Sequence, residues 1–531
     1  MKDVHATSWC AALDAAKREH RKIGKGTLKD YGFSHVEDRA KAIHDWIDLT
    51  INRNLPLSFC EDPIVRTCIT MSNISKKTLK DYMTKLRDCL VVKLTLEFKG
   101  KLLGMVFDGW SDGSGNHYVA LFIVYEGIES NCIARLISVA PLLDETSFDA
   151  NSHREYFEQT LHYYGLDLSR IKFIVCDNCS VNISLCEKLK IPMIGCASHR
   201  FNLGMKEFYS KYENDLSDAN EIMKKLSNLK NSGVLRTMTP LRPIIRNTTR
   251  WSSTNAMLNR FLKFYDEGIF NSKEFNNIDT KNGLLKNRQV MRELMELRPK
   301  LSKKKIIISF YHLNLFFLDN FDLVTKELQK SDINMLMVRV VFDSVVQAFP
   351  QVARKLGPDA DIVHFKNFEN GIVKIMFSQL REEYDPGLTA SEELEMAPFF
   401  QSRSITSIPD ADDIVDVCDF VKQAQLEIKK KAKTASSKYI NLKWIPPTSN
   451  MVERLFSRMK IVFADRRKSM YPQTMETIMM LTCNRDAWNV NDVNKIYLNR
   501  QSCKQNVVDE EEESEKDDYD CDPDDEDYTE D

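Results

Sequence analysis

The 531-residue chain has no run of about 18 apolar residues free of charge, the length a helix needs to span a bilayer. Its first thirty residues hold no apolar core behind a basic start, so the sequence supports neither a membrane span nor a signal peptide. The thirteen cysteines are odd in number and spread over strand-like and helical segments. They read as reduced thiols, mostly core residues, rather than a disulfide framework, and they point to cytosol or nucleus. Net charge is only −3, but its distribution is uneven. Residues 509–531 hold sixteen Asp or Glu against the single Lys516, a net of −15 that leaves +12 on the rest. That acid density predicts a disordered tail, either a solvated, solubilising segment or an acidic strand competing with DNA for basic surface. A basic body suits a partner with a phosphate backbone, because each neutralised phosphate releases counterions.

The length predicts more than one domain, and 43% hydrophobic residues can bury a large core. Residues 1–35 show little periodicity and read as an irregular or helical lead-in. Apolar residues at helical spacing predict helices over 38–54 (Ile43, Trp46, Ile47, Leu49) and over 76–97, the latter capped by Ser75. These lie in a helical N-terminal region, 36–100. Strand-like runs follow at Leu102–Phe107, Tyr118–Tyr125 and Cys132–Ala140, with a turn-rich Ser111–Asn116 between the first two. Then come a helix over 150–164, strand 171–176, helix 181–189 and strand 192–196. Three strands followed by alternating helix and strand predict an α/β core with a mixed sheet. From about 200 to 436 the pattern is helical, as in Glu221–Leu235, Ser253–Tyr265, Lys303–Leu328 and Ile414–Lys431. Lys303–Lys305 and Lys429–Lys431 read as solvated helix faces or as nuclear-import or phosphate-binding patches.

Three short strings each hold one carboxylate: Phe107-Asp108-Gly109-Trp110-Ser111, Cys176-Asp177-Asn178 and Val452-Glu453-Arg454-Leu455-Phe456-Ser457. The two aspartates end apolar runs and so leave the ends of buried strands; the glutamate lies on a helical stretch. Carboxylates from separate elements are what phosphoryl transfer on nucleic acids needs, with two divalent ions roughly 4 Å apart and a preference of Mg2+ or Mn2+ for hard oxygen. Taken singly, each is an ordinary turn or a solvated glutamate. Two further strings stand between the second and third, Cys196-Ala197-Ser198-His199 followed by Asn202-Leu203, and Thr248-Thr249-Arg250-Trp251-Ser252.

Together, in this order, the five strings resemble the hAT family of transposases over about residues 40–490. The resemblance implies a ribonuclease H-like catalytic core, in parts at 101–210 and 437–492, interrupted by an all-α insertion domain at 211–436 and followed by an acidic disordered tail at 493–531. It implies a triad of Asp108, Asp177 and Glu453 holding Mg2+ or Mn2+, and nuclear metal-dependent cleavage of double-stranded DNA at transposon ends, with hairpins on flanking DNA and strand transfer to target. His199 becomes a contact to the scissile phosphate or an orienting group, against the plainer reading of a satisfied core histidine. Trp251 becomes a stacking platform for an extruded base and Arg250 its phosphate contact, against a plain capped helix start.

The stripe Val452, Leu455, Phe456, Met459 and Phe463 and the run opened by Pro472 resemble the family's C-terminal dimerisation region, with Leu455, Phe456, Met459, Ile478 and Leu481 at a homodimer interface; an intramolecular core is the alternative. A structural zinc on Cys176, Cys179, Cys196 and His199 has suitable ligand types, but Asp177 within the first pair reads better as a metal-binding carboxylate. Members of the family begin with a BED-type zinc finger, and Cys10, His20, Cys60 and Cys68 do not form one. The chain is thus expected to be a working transposase or a catalytically silent, dimeric nuclear DNA-binding protein derived from one.

Overall fold

In the computed structural model, residues 36–112, 115–128, 131–142, 146–247, 251–302, 321–401, 437–462 and 470–514 are described. The chain is mixed α/β, with many helices and one five-stranded mixed sheet. It divides into two compact units, Phe98–Lys460 and a second made of Met1–Glu97 with Ile461–Asp531.

The sheet belongs to the larger unit: β1 Leu103–Ser111, β2 His117–Glu126, β3 Cys132–Pro141, β4 Ile171–Cys176 and β5 Met193–Gly195, in the order β3-β2-β1-β4-β5. Neighbours β1/β2 and β2/β3 are antiparallel, while β1/β4 and β4/β5 are parallel. The central strands are buried on both faces, which is why they read as unbroken apolar runs instead of alternating ones. The helix Ala150–Tyr163 starts where the Asp149 side chain accepts from the amides of Asn151 and Ser152 at 2.8 and 2.9 Å. It packs Phe157 on Phe107, ring centroids 4.8 Å apart, and its Tyr156 hydroxyl is hydrogen-bonded to the Val119 carbonyl at 3.1 Å and to the Ser138 hydroxyl at 2.8 Å. Trp444 is fully buried against Phe173 and Phe399.

Between β5 and residue 437 the described chain is helical, with Phe400↔Tyr439 as an isolated bridge. Its core includes Phe201, Phe208, Phe321 and Phe349, whose rings meet at centroid distances of 5.0–6.0 Å. The helix expected over Glu221–Leu235 is two, Glu213–Ser227 and Leu229–Met238, because Asn228 takes an extended backbone, ψ 146°, that ends the first and precedes the second. Of the expected helix Lys303–Leu328 the described part is Phe321–Leu328; Lys303–Lys305, Ile414–Lys431 and Lys429–Lys431 lie outside the described residues, as do residues 1–35.

The smaller unit packs helices Asp38–Asn52, Lys76–Glu97, Pro472–Cys483 and Val490–Ser514. Ser75 caps the second as expected, its Oγ accepting from the Thr78 amide at 3.1 Å. Pro472 occupies the first turn of the third, where its missing N–H costs nothing. The tail expected to be disordered from 493 is corrected: a helix runs through Ser514, with Val493 and Ile496 buried and Arg500 paired with Asp81 at 2.6 Å. Residues 515–531 lie outside the description. Among the described residues no helix is long and apolar enough to cross a membrane.

Candidate functional site

The two aspartates stand where two neighbouring parallel strands stop pairing. The last described parallel pair is Val106↔Val175, and Asp108 and Asp177 each follow it by two residues. Neighbouring strands run about 4.8 Å apart, so both residues leave the paired region at the same end of the sheet. One expectation is corrected here. Asp108 does not end its strand: β1 continues to Ser111, paired with β2 through Asp108↔Ala120 to Ser111↔His117. What ends at Val106 is the pairing with β4, so burial changes from continuous to alternating and Asp108 becomes half-buried at the point where the sheet opens. Its Oδ1 accepts from the Gly109 amide at 2.8 Å.

Asp177 begins the short link from β4 to the helix Ser180–Leu189. Its carboxylate accepts from the Asn182 side-chain amide and, at 3.4 Å, from the Cys179 backbone. Neither Asn182 nor the groups behind this link, Glu369 and Arg200, is flagged by apolar periodicity, which reports burial of faces and not polar pairs across 169 positions.

Glu453 lies in the first turn of the helix Asn450–Val462, half-buried. This helix reaches the same end of the sheet by two routes. Phe456 stacks on Trp110 of β1 at 5.8 Å, with Trp110 also stacked on Tyr118. Ahead of the helix, the Pro447 carbonyl accepts from the Ala197 amide at 2.9 Å and the Ser449 amide donates to Cys196 Sγ at 3.3 Å, just past β5. Ser198 then donates to Asn450 Oδ1 at 3.1 Å. Burial pushes the Cys196 thiol above its ordinary value, and the Glu453 carboxylate adds to the rise. The structure therefore brings Asp108, Asp177 and Glu453 to one end of one sheet. Among the described residues, however, no three His, Cys, Asp or Glu side chains are grouped so as to hold a metal ion.

His199 is half-buried in the first turn of the helix Ala197–Tyr209. Trp251 is the first residue of the helix Trp251–Asp266, and Arg250 lies outside the described residues. Of the alternative zinc set, Cys176 and Cys196 are buried and Cys179 is exposed. Burial and the neighbouring Cys186 thiol push Cys176 well above the ordinary thiol range, so it is held as a neutral core residue. The five residues expected at a dimer interface, Leu455, Phe456, Met459, Ile478 and Leu481, are between 0 and 6% exposed. Their apolar surface is already removed from water within the single chain and has little left to offer a second copy.

No protein-family model matches the chain, and no curated protein matches it.

Proposed function

We propose that the chain is a hAT-type, metal-dependent DNA transposase or nuclease with a ribonuclease H-like core, acting in the nucleus on double-stranded DNA. The observation that carries the reading is that the segments bearing three separated carboxylates meet at one end of one sheet. Asp108 on β1 and Asp177 just past β4 follow the last pair of two neighbouring parallel strands, and the Glu453 helix is fastened to the same end of the sheet through Trp110 and Cys196. The sheet order, three antiparallel strands continued by two parallel ones, agrees with this fold. So does the placement of a long helical segment between β5 and the Glu453 helix.

The donor set suits the cation. Carboxylate oxygens are hard ligands of the kind Mg2+ and Mn2+ select, and Asp108, Asp177 and Glu453 would hold them. Bound there, divalent ions supply an activated oxygen nucleophile and stabilise the leaving oxygen. The chain's own part is to hold the carboxylates: β1 and β4 fix the aspartates, Asn182 orients the Asp177 carboxylate, and the Trp110–Phe456 stack seats the helix of Glu453. His199, Arg250 and Trp251 belong to the same reading as DNA contacts. A homodimer belongs to the same reading.

The deciding experiment is cleavage of labelled DNA carrying inverted repeats from the gene's own flanks, with Mn2+ or Mg2+, by the chain and by its Asp108→Ala, Asp177→Ala and Glu453→Ala variants. Nicking and hairpins in the first, lost in all three variants with DNA binding kept, is the expected result. Cleavage retained in all three refutes the triad, and an inactive parent chain leaves the silent, DNA-binding form.

A further inference from the structure

The link that carries Asp177 is anchored from outside its own segment. Asn178, the next residue, donates from its side-chain amide to the carbonyl of Ile362, 184 positions away in the helical segment, at 2.9 Å. Its Oδ1 is buried without a hydrogen-bond partner among the described residues. A buried acceptor left unpaired is costly, so the close neighbours of this side chain offset that cost. One of those neighbours is Gly195, the last residue of β5: a Cβ built there would fall 2.5 Å from both amide atoms of Asn178. The Gly195 amide donates to Glu369 Oε1 at 3.2 Å, and Glu369 Oε2 accepts from Arg200 Nη1 at 2.8 Å.

We infer that Asn178 is a positioning residue for Asp177, a latch that locks the β4–helix link to the helical segment through Ile362, with Gly195 as the surface it slides under and the Arg200–Glu369 pair holding Gly195 in place. The inference rests on the proposed role of Asp177, and it assigns part of that role to residues that touch neither metal nor DNA. Orienting partners of ligating carboxylates alter metal affinity by about 10- to 100-fold when removed. The side-chain amide of Asn178 acts one residue further out, through the backbone, which puts its effect near the lower end.

The test uses the full chain and three variants, Asn178→Ala, Gly195→Ala and the double variant, with two readouts. Hydrogen exchange followed by mass spectrometry on peptides covering 177–182 reads the latch without reference to activity. Both single variants should raise exchange there while leaving β1–β3 peptides unchanged, and the double variant should be no worse than the worse single, because the new methyl meets nothing once the amide is gone. Unchanged exchange at 177–182 in Asn178→Ala, or strict additivity in the double, overturns the latch. The second readout is the Mn2+ concentration giving half-maximal cleavage, expected to rise roughly tenfold in each single variant. A latch loosened by exchange with no change in Mn2+ dependence overturns its positioning role. A latch loosened by exchange in a chain that never cleaves supports the mechanical link and refutes the proposed function instead.

Discussion

The Arg200–Glu369 pair offers the sharpest energetic test. Their side chains are only 5 and 10% exposed, and the guanidinium is also directed at the carbonyls of Lys355 and Gly357 and lies over the Phe342 ring. Two charges removed from water offset their desolvation only while both are present. Glu369→Ala strands a buried guanidinium and unpairs the Gly195 amide, and should cost about 3–5 kcal/mol. Glu369→Gln keeps an acceptor and loses the charge, and should cost about 1.5–3 kcal/mol. Replacing both partners by apolar residues, Arg200→Met with Glu369→Leu, should cost far less than the single alanine, because no unpaired charge remains. Urea unfolding of the full chain, followed by hydrogen exchange in peptides covering 193–205 and 366–380, separates this unit from the smaller one. Raising NaCl to about 0.5 M should leave the ordering intact, since buried pairs are poorly screened. A Glu369→Ala variant that loses less than about 1 kcal/mol, or a double variant as unstable as the sum of its singles, would show that the pair is not held as a buried charge pair.

Phe456→Ala removes a ring that is 6% exposed and stacked on Trp110. It should cost about 3–5 kcal/mol and shift the Trp110 emission toward that of exposed indole; unaltered emission would mean that the stack does not seat the Glu453 helix. The buried thiols should be unreactive: iodoacetamide at about pH 8.5 labels exposed Cys68 but spares Cys176 and Cys196, both raised by burial. Because a raised folded value stabilises the native state below the ordinary thiol pKa and that contribution fades as pH climbs through it, Cys196→Ala should flatten the fall in stability above about pH 8.5. Labelling of Cys196 at the rate of Cys68 in the folded chain contradicts this.

Much of the sheet was legible because its signals are local. Buried central strands read as unbroken apolar runs, and β4 at Ile171–Cys176 matches its sequence reading residue for residue. Caps at Ser75 and Asp149 and the proline before Gln473 work through neighbours within a few residues, so they too can be read along the chain. The end of β1 was misplaced because alternation over Asp108–Ser111 looks like a turn unless one knows that β2 still pairs with it. The break at Asn228 was hidden because apolar spacing continues across it while one backbone torsion does not.

Local pattern along the chain was enough to locate most of the strands and helices and the three carboxylates, and to exclude a membrane span among the described helices, since each depends on residues close together. The strand order, the parallel pairing that ends at Val106 and Val175 ahead of Asp108 and Asp177, the seating of the Glu453 helix on Trp110 and the contact from Asn178 to Ile362 came only from the folded chain. The burial of Val452, Leu455, Phe456 and Met459 inside the chain is likewise a tertiary outcome, while Phe463 lies outside the described residues. These are pairings between residues many positions apart, chosen by packing and polar satisfaction, and no local pattern encodes them.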